Sequence, residues 1–477
     1  MISAMNLNNA ALTKLPIATP SYDRGSVSVG IAHIGAGHFH RAHQAMYIDR
    51  LLQRGLAREW GICGVGVMPG DWTMRDVLRD QEGLYTLVLE SPDGSRDAQV
   101  IGSIIDYRYA PDDPEATIEL LAAPTTQIIS LTITEGGYHD PDGPAFVLIG
   151  EALVRRRDRG IASPTIVSCD NIESNGEVAR GALTAHAERR HPGLAAWVAE
   201  HTRFPGSMVD RITPATTPDV IAAVERDFGV ADQWPVVAEP FTTWVLEDDF
   251  SDGRPPLEDV GVLLVDDVGP YELMKLRLLN AGHQCVCYFA YLCGYRFVHN
   301  AARDPLFAEF LMAYFDSEAT PTLRPVPGID LAAYKRTLIE RFANPGVRDT
   351  VARLCAYSSD RIPKWLLPVI RANLLTGAPI RLASATVASW ARYAEGVDER
   401  GEPIEIIDQL ADSLVPIARS QRAHPTAFIE NTAVFGELAQ VPRFVEAYRW
   451  ALDSLHRRGA RATLEALLHG ATKAVAP

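Results

Sequence analysis

The sequence predicts an α/β protein in two parts, a doubly wound parallel sheet with helices over residues 1–269 and a mainly α-helical part over residues 270–477. Three observations lead there. Short apolar runs alternate with helical stretches through the first part, which is the pattern of strand-crossover-strand units. Beyond Gly269 a helical period takes over, with Pro and Gly at the joints. At 477 residues the chain also exceeds what a single hydrophobic core ordinarily serves.

In chain order, residues 27–34, 60–67, 126–133 and 164–168 read as strands, because each is a short apolar or β-branched run between turn residues. Between them, 43–54 and 113–121 suit crossover helices. The stretch 264–270, which ends in Gly269 and Pro270, marks the boundary without a long flexible linker. After it, 271–295, 305–315, 331–342, 371–375, 383–395, 428–438 and 441–456 suit helices. No internal repeat and no low-complexity tract interrupts the pattern.

Composition narrows the function. Apolar residues make up 47% and charged residues 22%, which are globular values, and no run approaches the ~20 apolar residues of a membrane span. A net charge of -15 argues against nucleic acid or an anionic membrane as the main partner. The six cysteines are scattered, and residues 1–19 lack the basic start and apolar run of a secretion signal, so a reduced, cytoplasmic protein is expected.

The segment Gly35-Ala-Gly37-His-Phe39-His40-Arg41-Ala-His43 follows an apolar strand and opens a helix, the place where a dinucleotide pyrophosphate meets backbone amides. Gly35 permits the tight turn and Gly37 leaves room for phosphate. His40 stands where the third glycine of the usual G-x-G-x-x-G belongs, so the segment is either a Rossmann-type cofactor loop or a structural turn. Asp71, at the end of the next strand, suits an adenosine ribose and would repel a 2′-phosphate, favouring NAD over NADP; its alternative is a helix cap. The turn Thr134-Glu135-Gly136-Gly-Tyr138 leaves a later strand and either lines the cofactor cleft or only closes that strand. Histidines 33, 38, 40 and 43 lack the cysteines or carboxylates that complete a metal ligand set, so no metal is expected.

The stretch from Tyr271 to His283 carries the most chemistry. At about 100° per residue, with Lys275 at zero, Glu272 falls near 60°, His283 near 80° and Asn280 near 140°. All four share one side of a helix. A dehydrogenase without zinc needs a base for the hydroxyl proton and neutral donors for the oxygen, and this face offers both. A lysine base, with an ordinary pKa of about 10.4, needs burial or nearby positive charge to work near neutrality. The alternative is a hydrated helix face.

Together with Thr132–Tyr138, Ser168-Cys-Asp-Asn171, Asn175-Gly176, residues 208–214, 234–241 and 294–299, these segments resemble the polyol-specific long-chain dehydrogenase/reductase family, whose best-known members are mannitol 2-dehydrogenases. The match runs through nearly the whole chain. The resemblance implies NAD as cofactor, an acyclic polyol or ketose as partner, and oxidation of a secondary hydroxyl, D-mannitol to D-fructose first. It implies Lys275 as general base, Asn171 and Asn280 as the amides that hold the reacting oxygen, and His283 as a group that orients substrate. Asp210, Arg353 and Arg361 match positions that hold substrate hydroxyls, and Glu272 matches one that passes the lysine's proton to solvent.

Two departures stand out. The family commonly carries lysine in a Gly/Ser-rich stretch where this chain has Tyr357-Ser-Ser-Asp-Arg361, and arginine presents a different donor geometry. The segment after Tyr138, 139–144, is short. D-Arabinitol or D-sorbitol oxidation, a hexuronate or aldonate reductase using Arg361 for the carboxylate, and a catalytically silent NAD-binding protein are the alternatives. The sequence leaves the oligomeric state open.

Overall fold

The computed structural model describes residues 4–472; residues 1–3 and 473–477, the outer ends of the two expected domains, lie outside the described residues. The chain divides into two compact units, Met1–Gly269 and Pro270–Pro477.

In the first unit the strands are β1 Met5–Asn6, β2 Val29–Ile34, β3 Gly61–Gly66, β4 Tyr85–Glu90, β5 Arg96–Ile101, β6 Ile104–Tyr109, β7 Ile128–Leu131, β8 Thr165–Ser168, β9 Ser207–Asp210, β10 Val230–Ala231, β11 Val236–Ala238, β12 Thr243–Glu247 and β13 Leu263–Val265. The principal sheet has the order β6-β3-β2-β7-β8, and every neighbouring pair in it is parallel. Counted along the chain, that order is 3-2-1-4-5, the doubly wound arrangement, with its reversal between β2 and β7. Side chains alternate between the sheet's two faces. Ile31 and Ile62 join the core that holds Met46, Ile48 and Trp244, whereas Ala32, Ile34, Val65 and Ile129 join the core that holds Phe146, Ile149 and Leu183.

The four expected strands are present, and the expected doubly wound sheet followed by helices is what forms. What the sequence reading omits is the run from β4 to β6. There β4 and β5 form an antiparallel pair, β11 joins β4 in parallel, and the chain then returns to the principal sheet as β6. The edge strand β6 carries Asp106 and Arg108, so its apolar signal is broken where one edge faces outward. A smaller sheet, β13-β12-β9, carries Asp210 at the end of β9. Helix Pro144–Arg159 is fixed by Arg156, wholly buried, whose guanidinium donates to the carbonyls of Leu121, Ala123, Thr126 and Ala162. Two of those lie at the carboxyl end of helix Pro114–Ala122, where a cation is favoured.

Among the described residues the second unit is mainly helical, with loops and two isolated β-bridges, Phe297 with Thr350 and Val397 with Pro403. Its helices include Gly269–Met274, Ala281–Leu292, Pro305–Tyr314, Leu331–Phe342, Leu367–Thr376, Arg381–Tyr393 and Pro442–Thr472. Three expectations need correction. The helix expected over 271–295 is interrupted by a π-helical segment, Lys275–Asn280. The helix expected over 428–438 is a short helix, Thr432–Phe435, followed by a 3-10 turn. The one expected over 441–456 extends to Thr472 through a break at Gly459, whose φ of 82° suits glycine. Among the described residues no helix is long and apolar enough to cross a membrane.

Candidate functional site

Apart from Asp210, which ends β9 in the smaller sheet, the expected site residues of the first unit follow the carboxyl ends of the parallel strands. Gly35 follows β2 with φ +93°, and a Cβ there would stand 2.2 Å from the carbonyl oxygen of Thr132, the residue after β7. Only glycine lets these two strand ends meet at the point where the sheet order reverses. The Thr132 hydroxyl donates to the Gly35 carbonyl at 2.6 Å and lies 2.8 Å from His33 Nε2. His33 Nδ1 lies 2.8 Å from Ser130 Oγ.

His40, in the third glycine's place, stacks on His33 with ring centroids 3.4 Å apart. Both rings are buried, and burial lowers the pKa of each, that of His33 to about 3. They are neutral packing groups beneath the loop. His43 Nε2 bonds the Thr243 carbonyl, and Phe39 stacks on the His43 ring at 4.9 Å. Arg41 is wholly buried against the Tyr85 ring and donates to the Trp234 carbonyl, so its side chain braces the loop from below.

At Gly37 the backbone is extended and a Cβ would meet nothing nearer than the Gly35 carbonyl at 3.8 Å. No side chain caps the helix that begins at His38. Open space in front of uncapped first-turn amides fits the pyrophosphate of a dinucleotide.

Asp71 belongs to a 3-10 turn, Pro69–Asp71, that leads into helix Trp72–Asp80. Its Oδ2 accepts the amides of Val67 and Met68, each at 2.8 Å, while Oδ1 takes no hydrogen bond among the described residues. The carboxylate thus closes the turn through one oxygen. Arg75, the nearest cation on that helix, is held by Asp76 and Asp112 at 2.9 and 2.5 Å and lies over the Tyr109 ring.

The segment read as a turn, Thr134–Tyr138, lies in a short helix, Thr134–His139, that leaves Glu135 and Gly136 exposed. Its start is held by Asp170, a residue that the sequence reading quoted but gave no role. The Asp170 carboxylate accepts the amides of Ile133 and Thr134 at 3.0 and 2.9 Å and the Tyr138 hydroxyl at 2.7 Å; burial raises its pKa against those donors. Asn175 ties the same loop to β9. Its Nδ2 donates to the carbonyls of Asp170 and Ser207 and its Oδ1 accepts the Ser207 amide. Between these two buried residues Asn171 is exposed. The signal in the sequence was a carboxylate and an asparagine flanking a polar strand exit, too local to reveal partners about 35 residues away. Asp210 is buried at 6% exposure, and its neighbour Arg211 bonds the Glu239 and Ala42 carbonyls.

In the second unit Glu272, Lys275, Asn280 and His283 lie on one continuous helical run. Lys275 and Glu272 are each 8% exposed and Asn280 3%. The π segment corrects the angular reading. Pairing of i with i+5 takes more residues per turn, so the five steps from Lys275 to Asn280 complete little more than one turn. Asn280 comes round toward the lysine's side, nearer than the roughly 140° of an α-helical count. The His283 ring stacks on Phe342 at 4.2 Å.

Arg353 and Arg361 come together in the segment beside this helix. Arg361 Nη1 donates to the Arg353 carbonyl at 3.2 Å, and its guanidinium lies 5.9 and 5.6 Å from the ring centres of Tyr357 and Trp365. Arg353 forms a two-point pair with Asp349 at 2.5 Å. Tyr288 Oη, bonded to Gln284 and Ser358, ties the segment to helix Ala281–Leu292.

Comparison with known proteins matches residues 29–259 to the mannitol dehydrogenase Rossmann domain and residues 267–456 to the mannitol dehydrogenase C-terminal domain. A mannitol 2-dehydrogenase of Aspergillus fumigatus is 41% identical, over 97% of this chain and 99% of its own. Among solved structures, a Pseudomonas fluorescens mannitol 2-dehydrogenase in ternary complex with NAD and D-mannitol is 41% identical with a TM-score of 0.87, covering 98% of this chain and 100% of that chain. A substrate-free D-sorbitol dehydrogenase is 32% identical with a TM-score of 0.90, covering 96% of this chain and 100% of that one.

Proposed function

The chain belongs to the mannitol dehydrogenase family through both of its domains, and from that premise we propose that it is an NAD-dependent polyol dehydrogenase that converts D-mannitol to D-fructose. The observation that carries the chemistry is the buried pair Lys275 and Asn280, set five residues apart across a π-helical segment.

The residues present fit NAD, with the open space at Gly37, the uncapped amides that follow it and Asp71 Oδ1 as the groups that would hold it. NAD, when bound, supplies the hydride acceptor. Lys275 takes the hydroxyl proton as the carbon gives up its hydride, and its burial meets what a lysine base requires. Asn280 and Asn171 donate to the oxygen as it gains negative charge and becomes the ketone oxygen. Glu272, three residues before the lysine, returns the proton to solvent. His283, Asp210, Arg353 and Arg361 orient the polyol chain.

The likeness to a D-sorbitol dehydrogenase favours D-sorbitol as the second substrate reading. Initial rates of NADH formation across mannitol, sorbitol, arabinitol, xylitol and sugar acids decide between them. The reading expects the highest kcat/KM with mannitol. A sugar acid in first place would transfer the substrate role to Arg361 as a carboxylate ligand, and no NADH from any polyol would end the proposal.

A further inference from the structure

We propose that Tyr314 is a positioning residue for the catalytic helix: its hydroxyl holds Lys275–Asn280 in the π register and thereby sets the base and the amide on one side. This rests on the reading of Lys275 and Asn280 given above.

The hydrogen bonds at the end of the π segment carry the argument. The Ala281 amide bonds the Leu276 carbonyl, five residues back, and also that of Leu278. In an α register it would bond Arg277, four residues back. The Arg277 carbonyl instead accepts the Tyr314 hydroxyl at 3.1 Å. Tyr314 is wholly buried, so its hydroxyl has no water to exchange for that carbonyl. It takes one of the two acceptor positions of the carbonyl that the α register would offer to the Ala281 amide.

The tyrosine is fixed on both sides. It ends helix Pro305–Tyr314 and opens a second π segment, Phe315–Ala319. Gly282, just past the first π segment, makes room for that second one, since a Cβ there would stand 3.1 Å from the Phe315 ring. The guanidinium of Arg277 donates to the Thr322 carbonyl beyond it. At the far end of the second segment, the Glu318 carboxylate accepts the Leu382 and Ala383 amides at 2.7 and 2.8 Å, and its carbonyl accepts Asn373 Nδ2 at 2.9 Å. The Tyr314 ring therefore meets Arg277 from a braced element. An isolated π turn inside an α-helix is rare and is found mostly at functional sites. Here its function is to rotate Asn280 toward Lys275.

The test is Tyr314→Phe, which keeps the ring and removes the donor. The expected result is a kcat lower by roughly 10- to 100-fold, because a displacement on the order of 1 Å is costly to oriented catalysis. The KM for mannitol and the NAD dissociation constant stay within about threefold, and the pH profile of kcat shifts as the lysine's surroundings change. An unchanged kcat and pH profile, with or without a lower Tm, overturns the proposal, because a purely structural tyrosine moves only Tm. If Tyr314→Phe does not fold, Gly282→Ala, which displaces Phe315, is judged by the same two readouts. Lys275→Ala, run in parallel, separates the premises. Near-normal turnover in that variant removes the base, and the positioning proposal falls with it; loss of turnover there with an unaffected Tyr314→Phe sinks the positioning proposal alone.

Discussion

At the end of β2 the chain presents backbone, and at Lys275 it presents side chains. Around Gly35 the side chains lie beneath the loop: two stacked neutral histidines, a buried arginine and Thr132, all bonded or packed so that amides and empty space face outward. Around Lys275 the polar groups are themselves buried on the helix, and its path is altered to bring two of them to one side. The Asn171 loop combines the two plans, with an exposed side-chain amide between two buried residues that shape its backbone. A site built from backbone is lost when a Cβ intrudes or the framework loosens. A site built from side chains is lost when one group is removed or turned.

That contrast orders the expected effects. Lys275→Ala should lower kcat about 10³-fold, within the range for loss of a general base, as steady-state NADH formation would show. Asn280→Ala should lower kcat by ~10²-fold with a smaller change in KM. The framework residue Asp170 should behave otherwise: Asp170→Ala leaves the Ile133 and Thr134 amides without their acceptor, lowering stability by about 2 kcal/mol in denaturant unfolding. If Asp170→Ala proved as stable as the parent and lost only kcat, Asp170 would not be a framework residue.

The two regions also answer pH with opposite signs. His33 has its pKa lowered to about 3 from an ordinary 6.5, chiefly by burial, so its contribution is complete above pH 6.5 and is lost as pH falls toward 3. Glu318 has its pKa pushed up to about 7 from an ordinary 4.5, again chiefly by burial. The folded state holds that proton more tightly, so this contribution is complete below pH 4.5 and is lost as pH rises through 7. Each amounts to a few kcal/mol at most. In Tm measured against pH, His33→Gln should flatten the acid limb and Glu318→Gln the limb from pH 4.5 to 7. Unchanged slopes would mean that neither group titrates as its burial requires.

The smallest effect concerns cofactor choice. Asp112→Asn should loosen Arg75 and tighten NADP binding several-fold, measured by fluorescence titration, while NAD binding stays unchanged. An unaltered NADP affinity would leave selectivity to Asp71 alone.

Much of this architecture was legible because local patterns carry it. The β2-loop-helix reads from its glycines, and the Lys275 face reads from residue types at helical spacing. Strand β6 did not read, because charged Asp106 and Arg108 break an edge strand's apolar run. Nor did the π segment, since nothing in Lys275-Leu-Arg-Leu-Leu-Asn280 departs from an α-helical sequence; the partner that favours it, Tyr314, is 37 residues from Arg277. The role of Asp170 was hidden likewise, since its donors come from a neighbouring strand's exit.

The proposed division between a backbone site for the cofactor and a side-chain site for proton transfer is tested most directly by titrating NAD into two variants while recording Tm. In Gly37→Val the added Cβ meets only the Gly35 carbonyl, at an ordinary 3.8 Å and on an extended backbone, so the fold should persist while NAD affinity falls tenfold or more. In Lys275→Ala the NAD dissociation constant should stay within about twofold of the parent's. NAD binding that survives Gly37→Val intact, or that is lost together with turnover in Lys275→Ala, would contradict the account.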